Sequence, residues 1–246
     1  AAMSACEKGA RWHEALGMFS VMRLHRLEQN QITCSACISA CEQSAQWYDA
    51  LGTFSGMQLR RMELGVVTCT AAIGACGRSV QWHAAMRMFA DMQRSRLEPS
   101  LSCRNAAINA CAQSGRWHVA LGMFSDLRMC VVEADIFSYN AAVVACERGA
   151  RWHEALSILS DMRLRHLEPD EIIHNVAICA CDKGDQWHVG LRVFRNLQRC
   201  CVELSGISYN AAVSACESGA RWHEALRVIS AMRLRRLELS VVTYNA

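Results

Sequence analysis

The apolar positions of this chain follow a pattern that is clearest in residues 136–170. Apolar side chains stand three and four residues apart, first over Tyr139–Cys146 and then over Trp152–Met162. This spacing predicts two amphipathic α-helices, and Gly149 breaks the pattern between them. We expect a helix-turn-helix unit whose second helix ends near Arg165.

The same pattern returns every 35 residues along the chain. The seven tryptophans are Trp12, Trp47, Trp82, Trp117, Trp152, Trp187 and Trp222. Cysteines with the same spacing are Cys6, Cys41, Cys76, Cys111, Cys146, Cys181 and Cys216. A unit of this length cannot bury its own apolar face, so the units must stack on one another. The fold class predicted is all-α, an α-solenoid of helix-turn-helix repeats.

The period divides residues 1–246 into one repeat array. The complete units are 31–65, 66–100, 101–135, 136–170, 171–205 and 206–240, preceded by a partial unit, 1–30, and followed by the start of another, 241–246. Because both ends interrupt a unit, we interpret the chain as a piece of a longer array.

Composition excludes several classes of protein. A formal net charge of +3 is too small for a protein that holds nucleic acid mainly through phosphates, although a local positive surface is compatible with it. No apolar run approaches the roughly 18 to 20 residues that cross a bilayer, so no membrane partner is expected. No cofactor is expected either.

The cysteines are numerous, but their positions favour buried, reduced thiols. Seven of the 15 occupy one repeated position in an apolar helical stripe, which indicates a reducing compartment. Cys34, Cys37 and Cys41 have spacing suggestive of metal ligands. They lie on a single apolar helix face without a second ligand pair, so we expect no metal site.

Each tryptophan begins a second helix. We expect its ring to wedge between the two helices and against the next unit, where burial of a large aromatic side chain is stabilising. The alternative is a platform on which nucleic-acid bases stack. A ring held inside an interhelical stripe is not available to a ligand, and the structural role is therefore favoured.

The repeated phrases resemble a known family. Units open with sequences such as VVTYNA, continue through AL and a Met two turns later, and close with LEPD at Leu167–Asp170. In length, helix phasing and closing turn they are similar to the pentatricopeptide repeat, the modular single-stranded RNA binder of organelles. The resemblance covers the whole chain and implies a right-handed superhelix. Tryptophan stands where that family more often has leucine, and only Pro99 and Pro169 keep the proline of the closing turn.

The resemblance implies that each unit reads one base through its fifth and last residues, with the RNA strand parallel to the protein. Ser35 with Gly65 is an irregular pair that leans towards a purine, and Thr70 with Ser100 resembles adenine-type pairs. Uracil-type pairs are Asn105 with Asp135 and Asn140 with Asp170. Cytosine-type pairs are Asn175 with Ser205 and Asn210 with Ser240. The implied target is purine-A-U-U-C-C.

Two further sets of residues have roles implied by the resemblance. The second residue of each unit packs between neighbouring bases, and here it is Ile32, Val67, Ser102, Phe137, Ile172, Ile207 and Val242, with Ser102 the weak member. The residue that faces the phosphates near the end of the first helix is cationic at Lys8, Arg78, Arg148 and Lys183. With on the order of three to four phosphates neutralised, binding should depend only weakly on salt.

The fifth residue of the complete units is always small and polar, which indicates a polar surface at a fixed position in the solenoid. Two alternatives remain open. An asparagine at this position can simply cap the first helix, and the array can serve as a tetratricopeptide-like scaffold that binds a peptide. Polar residues that vary in pairs favour RNA.

We expect no enzymatic activity. The repeated His-Glu pairs, such as His153 with Glu154, lack the second histidine of a HExxH zinc site and are replaced in other units. The expected protein is a monomer that binds single-stranded RNA and works with other RNA-processing proteins. Chloroplast or mitochondrial localisation, and a role in RNA processing, stability or translation, are implied by the resemblance.

Overall fold

The computed structural model describes residues 12–24, 30–60, 62, 64–95, 97–129, 134–199 and 204–235. Within these ranges the chain forms thirteen α-helices and no β-strand, which confirms the all-α repeat fold. The helices are α1 (Trp12–Leu24), α2 (Gln31–Gln43), α3 (Trp47–Leu59), α4 (Val66–Arg78), α5 (Trp82–Arg94), α6 (Leu101–Gln113), α7 (Trp117–Met129), α8 (Ile136–Arg148), α9 (Trp152–Leu164), α10 (Glu171–Lys183), α11 (Trp187–Arg199), α12 (Gly206–Ser218) and α13 (Trp222–Leu234). None of them is long and apolar enough to cross a membrane.

Local chemistry at the turns sets the helix ends. Each first helix ends before a serine or glycine, for example Ser79 after α4 and Gly149 after α8. The next residue has a left-handed backbone conformation, which reverses the chain before the tryptophan that begins the second helix. The residues at this place are Ala45, Val80, Gly115, Ala150, Asp185 and Ala220. Because glycine alone adopts this conformation without strain, five of these six turns carry a local cost.

The chain divides into two compact bodies. The N-terminal body consists of Ala1–Ser114 and Ser125–Glu133, and the C-terminal body consists of Gly115–Phe124 and Ala134–Ala246. In the N-terminal body the first helices α2, α4 and α6 pack side by side, and α3 and α5 pack against them. In the C-terminal body α8, α10 and α12 pack side by side, with α9, α11 and α13 against them.

Small residues allow the first helices to approach closely. In α4, Ala72, Ala75 and Cys76 are fully buried, and the equivalent residues of the other described first helices are buried as well. A Cβ atom on Gly77 would lie 3.3 Å from the Cα atom of Ala110. The repeated Ala and Cys positions therefore form the interface along which units stack.

Aromatic pairs add to the core of the C-terminal body. The rings of Phe124 and Tyr139 meet edge to face with centroids 5.1 Å apart, and Phe194 and Tyr209 meet similarly at 5.3 Å. The Tyr139 hydroxyl also donates to Asp161 Oδ2 at 2.5 Å. Each pair joins a second helix to the first helix of the next unit, which stabilises the stacking.

The recurring cysteines that the structure describes are buried free thiols. Burial raises the pKa of Cys76, Cys111, Cys181 and Cys216 to about 11 and that of Cys146 to about 12. A thiol with such a pKa is protonated at neutral pH and reacts slowly. Across the described residues, no group of three or more His, Cys, Asp or Glu side chains is placed to hold a metal ion.

The tryptophans are less buried than the sequence predicts. Trp47, Trp82, Trp117, Trp152 and Trp187 are half-buried. The rings of Trp117, Trp152 and Trp187 do pack on the next unit, against Gly149, Gly184 and Gly219. The predicted packing of the ring against the next unit is therefore confirmed for these three residues, whereas the rings are only half-buried because the first residue of the second helix lies at the edge of the interface.

Candidate nucleic-acid interface

The fifth residue of each complete unit lies inside the first helix, one turn after its start. Asn140, for example, is the fifth residue of α8, and its side chain is half-buried. The interpretation of this asparagine as a helix cap was therefore wrong. Since a residue in the helix interior is not needed to satisfy the free backbone N–H groups of the first turn, the fifth side chain is available for another role.

The caps are instead the last residues of the units. Asn30, Ser100, Asp135, Asp170 and Ser205 each precede a first helix, and a side-chain oxygen accepts a hydrogen bond from a backbone N–H in its first turn. The oxygen–nitrogen distances are 2.9 Å for Asn30, 3.2 Å for Ser100, 2.9 Å for Asp135, 2.8 Å for Asp170 and 3.3 Å for Ser205. Gly65 has no side chain with which to cap.

Capping leaves different chemistry at aspartate and serine. Asp170 caps through Oδ1, so the second carboxylate oxygen remains an acceptor. Serine has one oxygen, and when that oxygen accepts the capping bond its hydroxyl hydrogen is still available to donate. The last residue thus presents an acceptor at Asp170 and a donor at Ser100.

The second residue of each first helix is apolar and exposed in five of the six described cases. The exposed fraction is 76% for Ile32, 74% for Val67, 69% for Phe137, 64% for Ile172 and 69% for Ile207. Ser102 occupies the same place in α6 and is also exposed. Second and fifth residues are three apart and share one helix face, so five of the six described units carry an apolar and a polar side chain together on that face.

The fifth residues differ in how they are already bonded. The hydroxyl of Thr70 donates to the carbonyl of Val66 at 2.8 Å, and Ser35 Oγ lies 2.8 Å from the Gln31 carbonyl and 2.6 Å from Thr68 Oγ1. The Asn140 amide makes no hydrogen bond to any residue that the structure describes. Asn140 therefore keeps both donors and its acceptor for a ligand.

One charged residue at this interface was not predicted from the sequence. Glu171, the first residue of α10, accepts hydrogen bonds through Oε1 from the backbone N–H of Ser205 at 2.7 Å, from Ser205 Oγ at 2.7 Å, and from Ser208 Oγ. Asn175, one turn further along α10, is only 7% exposed, and its Oδ1 has no hydrogen-bond partner among the described residues. The sequence does contain a feature that could have drawn attention to Glu171, because it is the one charged residue among the first residues of the complete units.

The environment keeps Glu171 ionised. Burial acts to raise the pKa of Glu171, but hydrogen bonds from Ser208 and Ser205 outweigh burial and hold the pKa below its ordinary value. At neutral pH a negative charge therefore lies beside Asn175 and Ser205, the two residues expected to read a base in this unit.

Two of the cations expected to face phosphates are paired with a carboxylate of the preceding unit. Arg78 lies 3.8 Å from Glu42, and Lys183 lies 2.6 Å from Glu147. Burial raises the pKa of Glu42, and the charge of Arg78 opposes this effect. Both cationic side chains are about half exposed, so the pairs are weak enough for a phosphate to compete.

Three expected site residues lie outside the described residues. Lys8 belongs to the partial first unit, Ser240 is the partner of Asn210, and Val242 is the second residue of the unit that begins at 241. The remaining expected cation, Arg148, is exposed at the end of α8.

The His-Glu pairs are held by their neighbours at the start of second helices. His153 stacks on Trp152 with ring centroids 3.3 Å apart, and Glu154 pairs with Arg151. Glu224 is likewise paired, with Arg195 at 3.2 Å and Arg221 at 3.4 Å. These contacts explain the residues as parts of the surface of the second helices.

Comparison with known families decides what kind of repeat this is. A family model described as a pentatricopeptide repeat domain matches residues 53–114 and 192–246, and a second, described as a PPR repeat, matches residues 102–130 and 137–167. Together these segments cover more than half of the sequence. The chain belongs to the pentatricopeptide repeat family. No curated protein matches the sequence of this pentatricopeptide repeat protein.

Solved structures share the fold at low sequence identity. The crystal structure of the pentatricopeptide repeat protein PPR10 from maize superimposes with a TM-score of 0.73 and 19% identity over 99% of this chain, which spans 35% of the maize protein. PPR10 in complex with an 18-nt psaJ RNA element gives a TM-score of 0.63 and 16% identity over 98% of this chain and 40% of that one. The PPR domain of Arabidopsis thaliana protein-only RNase P 1, in complex with tRNA, gives 0.60 and 11% over 70% of this chain and 91% of that domain.

Proposed function

We propose that this pentatricopeptide repeat protein binds single-stranded RNA in a sequence-selective way, with one unit for each base and no chemistry of its own. The observation that carries the proposal is the set of exposed apolar second residues, which are Ile32 and Val67 in the N-terminal body and Phe137, Ile172 and Ile207 in the C-terminal body. Exposed apolar side chains at one fixed position per unit are unfavourable in water and indicate a ligand with the same repeat. Nucleotide bases have apolar faces that pack on such side chains.

The polar fifth and last residues of the units supply base recognition. An asparagine amide, as in Asn140, matches the mixed donors and acceptors on the edge of a base. The free oxygen of Asp170 can accept the N3–H of uracil, whereas a serine hydroxyl can donate to N3 of cytosine. This chemistry agrees with the uracil-type and cytosine-type pairs that the family resemblance implies, and supports purine-A-U-U-C-C as the preferred sequence.

Two solved relatives bind RNA according to their descriptions, one an 18-nt psaJ element and the other tRNA. These complexes support RNA as the class of ligand. The family resemblance supports a place in organellar RNA processing, stability or translation, with other RNA-processing proteins as partners. We propose that the chain acts as a monomer that protects or exposes a site on a transcript.

Direct binding tests this proposal. Fluorescent single-stranded RNAs that carry AAUUCC, a scrambled sequence or a purine-rich sequence, and the matching DNA, are titrated with the chain in about 150 mM salt. The proposal predicts the tightest binding to AAUUCC RNA. If the chain binds all of these equally or not at all, while it binds an extended peptide, the family fold serves here as a protein scaffold.

A further inference from the structure

We infer that Glu171 silences the unit 171–205, so that the chain accepts any base at the nucleotide that this unit faces. The inference rests on the proposed RNA-binding function and deepens it by naming a residue that determines specificity outside the fifth and last positions. Its basis is the hydrogen bonds that Glu171 accepts from Ser205, together with the burial of Asn175, the other base-reading residue of the unit.

The first step concerns the hydroxyl of Ser205. This hydroxyl has one hydrogen, and it is donated to Glu171 Oε1 at 2.7 Å. The same serine oxygen accepts the capping bond from the Ile207 N–H at 3.3 Å. Ser205 therefore has no donor left for N3 of cytosine, although the pair of Asn175 and Ser205 is cytosine-type by resemblance.

The second step concerns the asparagine of the pair. Asn175 follows Glu171 by four residues and lies on the same face of α10. The side chain is buried, in contrast to the half-exposed Asn140 of the preceding unit. Before any RNA arrives, the hydroxyl of Ser205 is thus occupied by the carboxylate, and Asn175 is buried on the same helix face.

The third step concerns the strength of these contacts. Hydrogen bonds to a charged, partly buried acceptor are stronger than those between neutral groups. Glu171 also receives the backbone N–H of Ser205 and the hydroxyl of Ser208. A base that approached Ser205 would have to displace a carboxylate held by several donors, and the charge would repel the RNA backbone.

The first residue of a unit lies within reach of the last residue of the same unit. In the unit 31–65 the side chain of Gln31, at the same first position, lies against Gly65, the last residue of that unit. A Cβ atom on Gly65 would stand 2.9 Å from Gln31 Nε2. A polar side chain at the first position therefore reaches the last residue of its own unit in both bodies. The other complete units have Val66, Leu101, Ile136 and Gly206 at this position, and none of these can hydrogen-bond through its side chain.

The unit 206–240 provides a matched control, because it has the same cytosine-type pair, Asn210 and Ser240, with glycine at the first position. Glu171→Gly gives the unit 171–205 the same three residues. The reciprocal change, Gly206→Glu, gives the unit 206–240 the residues of the silenced one. Glu171→Gln keeps the size of the side chain and removes its charge.

The test uses three series of RNAs based on AAUUCC, in which the fourth, fifth or sixth nucleotide is varied among all four bases. The wild-type chain should discriminate about tenfold at the fourth nucleotide, opposite Asn140 and Asp170, and less than about twofold at the fifth. Glu171→Gly should create a roughly tenfold preference for cytosine at the fifth nucleotide, and Gly206→Glu should abolish the preference at the sixth. Glu171→Gln should lie between the wild type and Glu171→Gly. Thermal unfolding, measured in parallel, should show that every variant is folded.

The outcomes separate the two claims. If the wild type prefers cytosine at the fifth nucleotide, or if Glu171→Gly leaves that nucleotide without preference while the fourth is read, the inference about Glu171 fails and RNA reading stands. If no nucleotide in any series is discriminated, the proposed function fails and takes the inference with it.

Discussion

The N-terminal and C-terminal bodies join their units by different contacts at the same turn. In the N-terminal body Ser79 closes the first helix, and its hydroxyl donates to the carbonyl of Ala45 in the preceding unit at 2.6 Å. The hydroxyl of Ser114 lies 3.2 Å from the carbonyl of Val80 in the preceding unit and 2.7 Å from the carbonyl of Ala110 in its own helix. In the C-terminal body glycine takes this place, and a tryptophan ring of the preceding unit packs against it. One helical scaffold therefore accepts either a hydrogen bond or an aromatic face as the link between units.

The glycine of the C-terminal link is required for space. Gly149 has φ −94, so any residue is compatible with its backbone, but a Cβ atom there would lie 2.5 Å from Trp117 Cγ. The Arg151 guanidinium lies over the same ring, 4.9 Å from its centroid, and limits the room into which the ring can move. The serine of the N-terminal body is thus excluded from this turn by the tryptophan ring.

The largest expected effect comes from exchanging these links. Gly149→Ser should lower the free energy of unfolding by about 2 kcal/mol, because the ring of Trp117 has to move. In a Trp117→Leu background the same change should cost much less, as a double-mutant cycle would show. Ser79→Gly, the reverse exchange, should lose only a hydrogen bond worth about 1 kcal/mol. Urea unfolding measures the stability of Gly149→Ser, Trp117→Leu, the double variant and Ser79→Gly. If Gly149→Ser is as stable as the wild type, the aromatic link is contradicted.

The second expected effect concerns the exposed second residues, which differ between the bodies at Ser102 and Phe137. Phe137→Ser should weaken binding of AAUUCC RNA roughly tenfold, because an aromatic packing surface for a base is lost. Ser102→Phe should strengthen binding. Both residues are exposed, so stability should change by less than about 0.5 kcal/mol. If binding is unchanged in both variants, the second residues do not contact RNA.

The third expected effect concerns the left-handed turn residues. Val80 has φ 61, which is strained for a β-branched residue, whereas Gly115 occupies the next equivalent turn at φ 70. Val80→Gly should raise the free energy of unfolding by about 1 kcal/mol. Gly115→Val should lower it, although no heavy atom lies near its Cβ position. Thermal unfolding measures both variants. If the unfolding temperatures of the two variants shift in the same direction, the strain at this turn is not the cause.

The smallest expected effect concerns the ion pairs that compete with RNA phosphates. Glu147 is closer to Lys183 than Glu42 is to Arg78. Glu147→Gln should therefore strengthen RNA binding more than Glu42→Gln does, by about twofold at low salt, with a steeper dependence on salt. Titrations at several salt concentrations measure both slopes. A weaker affinity in Glu147→Gln would show that Lys183 does not face the RNA.

Much of the fold could be predicted because apolar positions that recur every 35 residues indicate that the units stack on one another. Gly149 and Trp152 mark the turn in the sequence. In the structure, α8 ends just before Gly149 and α9 begins at Trp152. The tryptophan environment could not be predicted, since apolar spacing places Trp117 on the inner face without showing that its ring lies at the edge of the interface, against Gly149 of the next unit. That contact depends on how neighbouring units pack.

The residues of the candidate site could be predicted from the sequence, but the hydrogen bonds that they make could not. The polar fifth residue and the exposed second residue follow from helix periodicity. The capping role of Asp170 was missed, because a capping residue and a base-reading residue have the same short polar side chain. Glu171 was missed because its partner Ser205 is 34 residues away in the sequence. Such contacts between units appear only when the units are stacked.

The most direct test of base reading exchanges a single last residue. Asp170→Ser should preserve the helix cap, since serine caps the equivalent helices at Ser100 and Ser205. RNAs that differ only at the fourth nucleotide are titrated with the wild type and this variant. The account predicts that a roughly tenfold preference for uracil becomes a preference for cytosine, with no change in thermal stability. If both proteins bind all four RNAs equally, Asp170 is only a cap, and the one-unit, one-base proposal is contradicted.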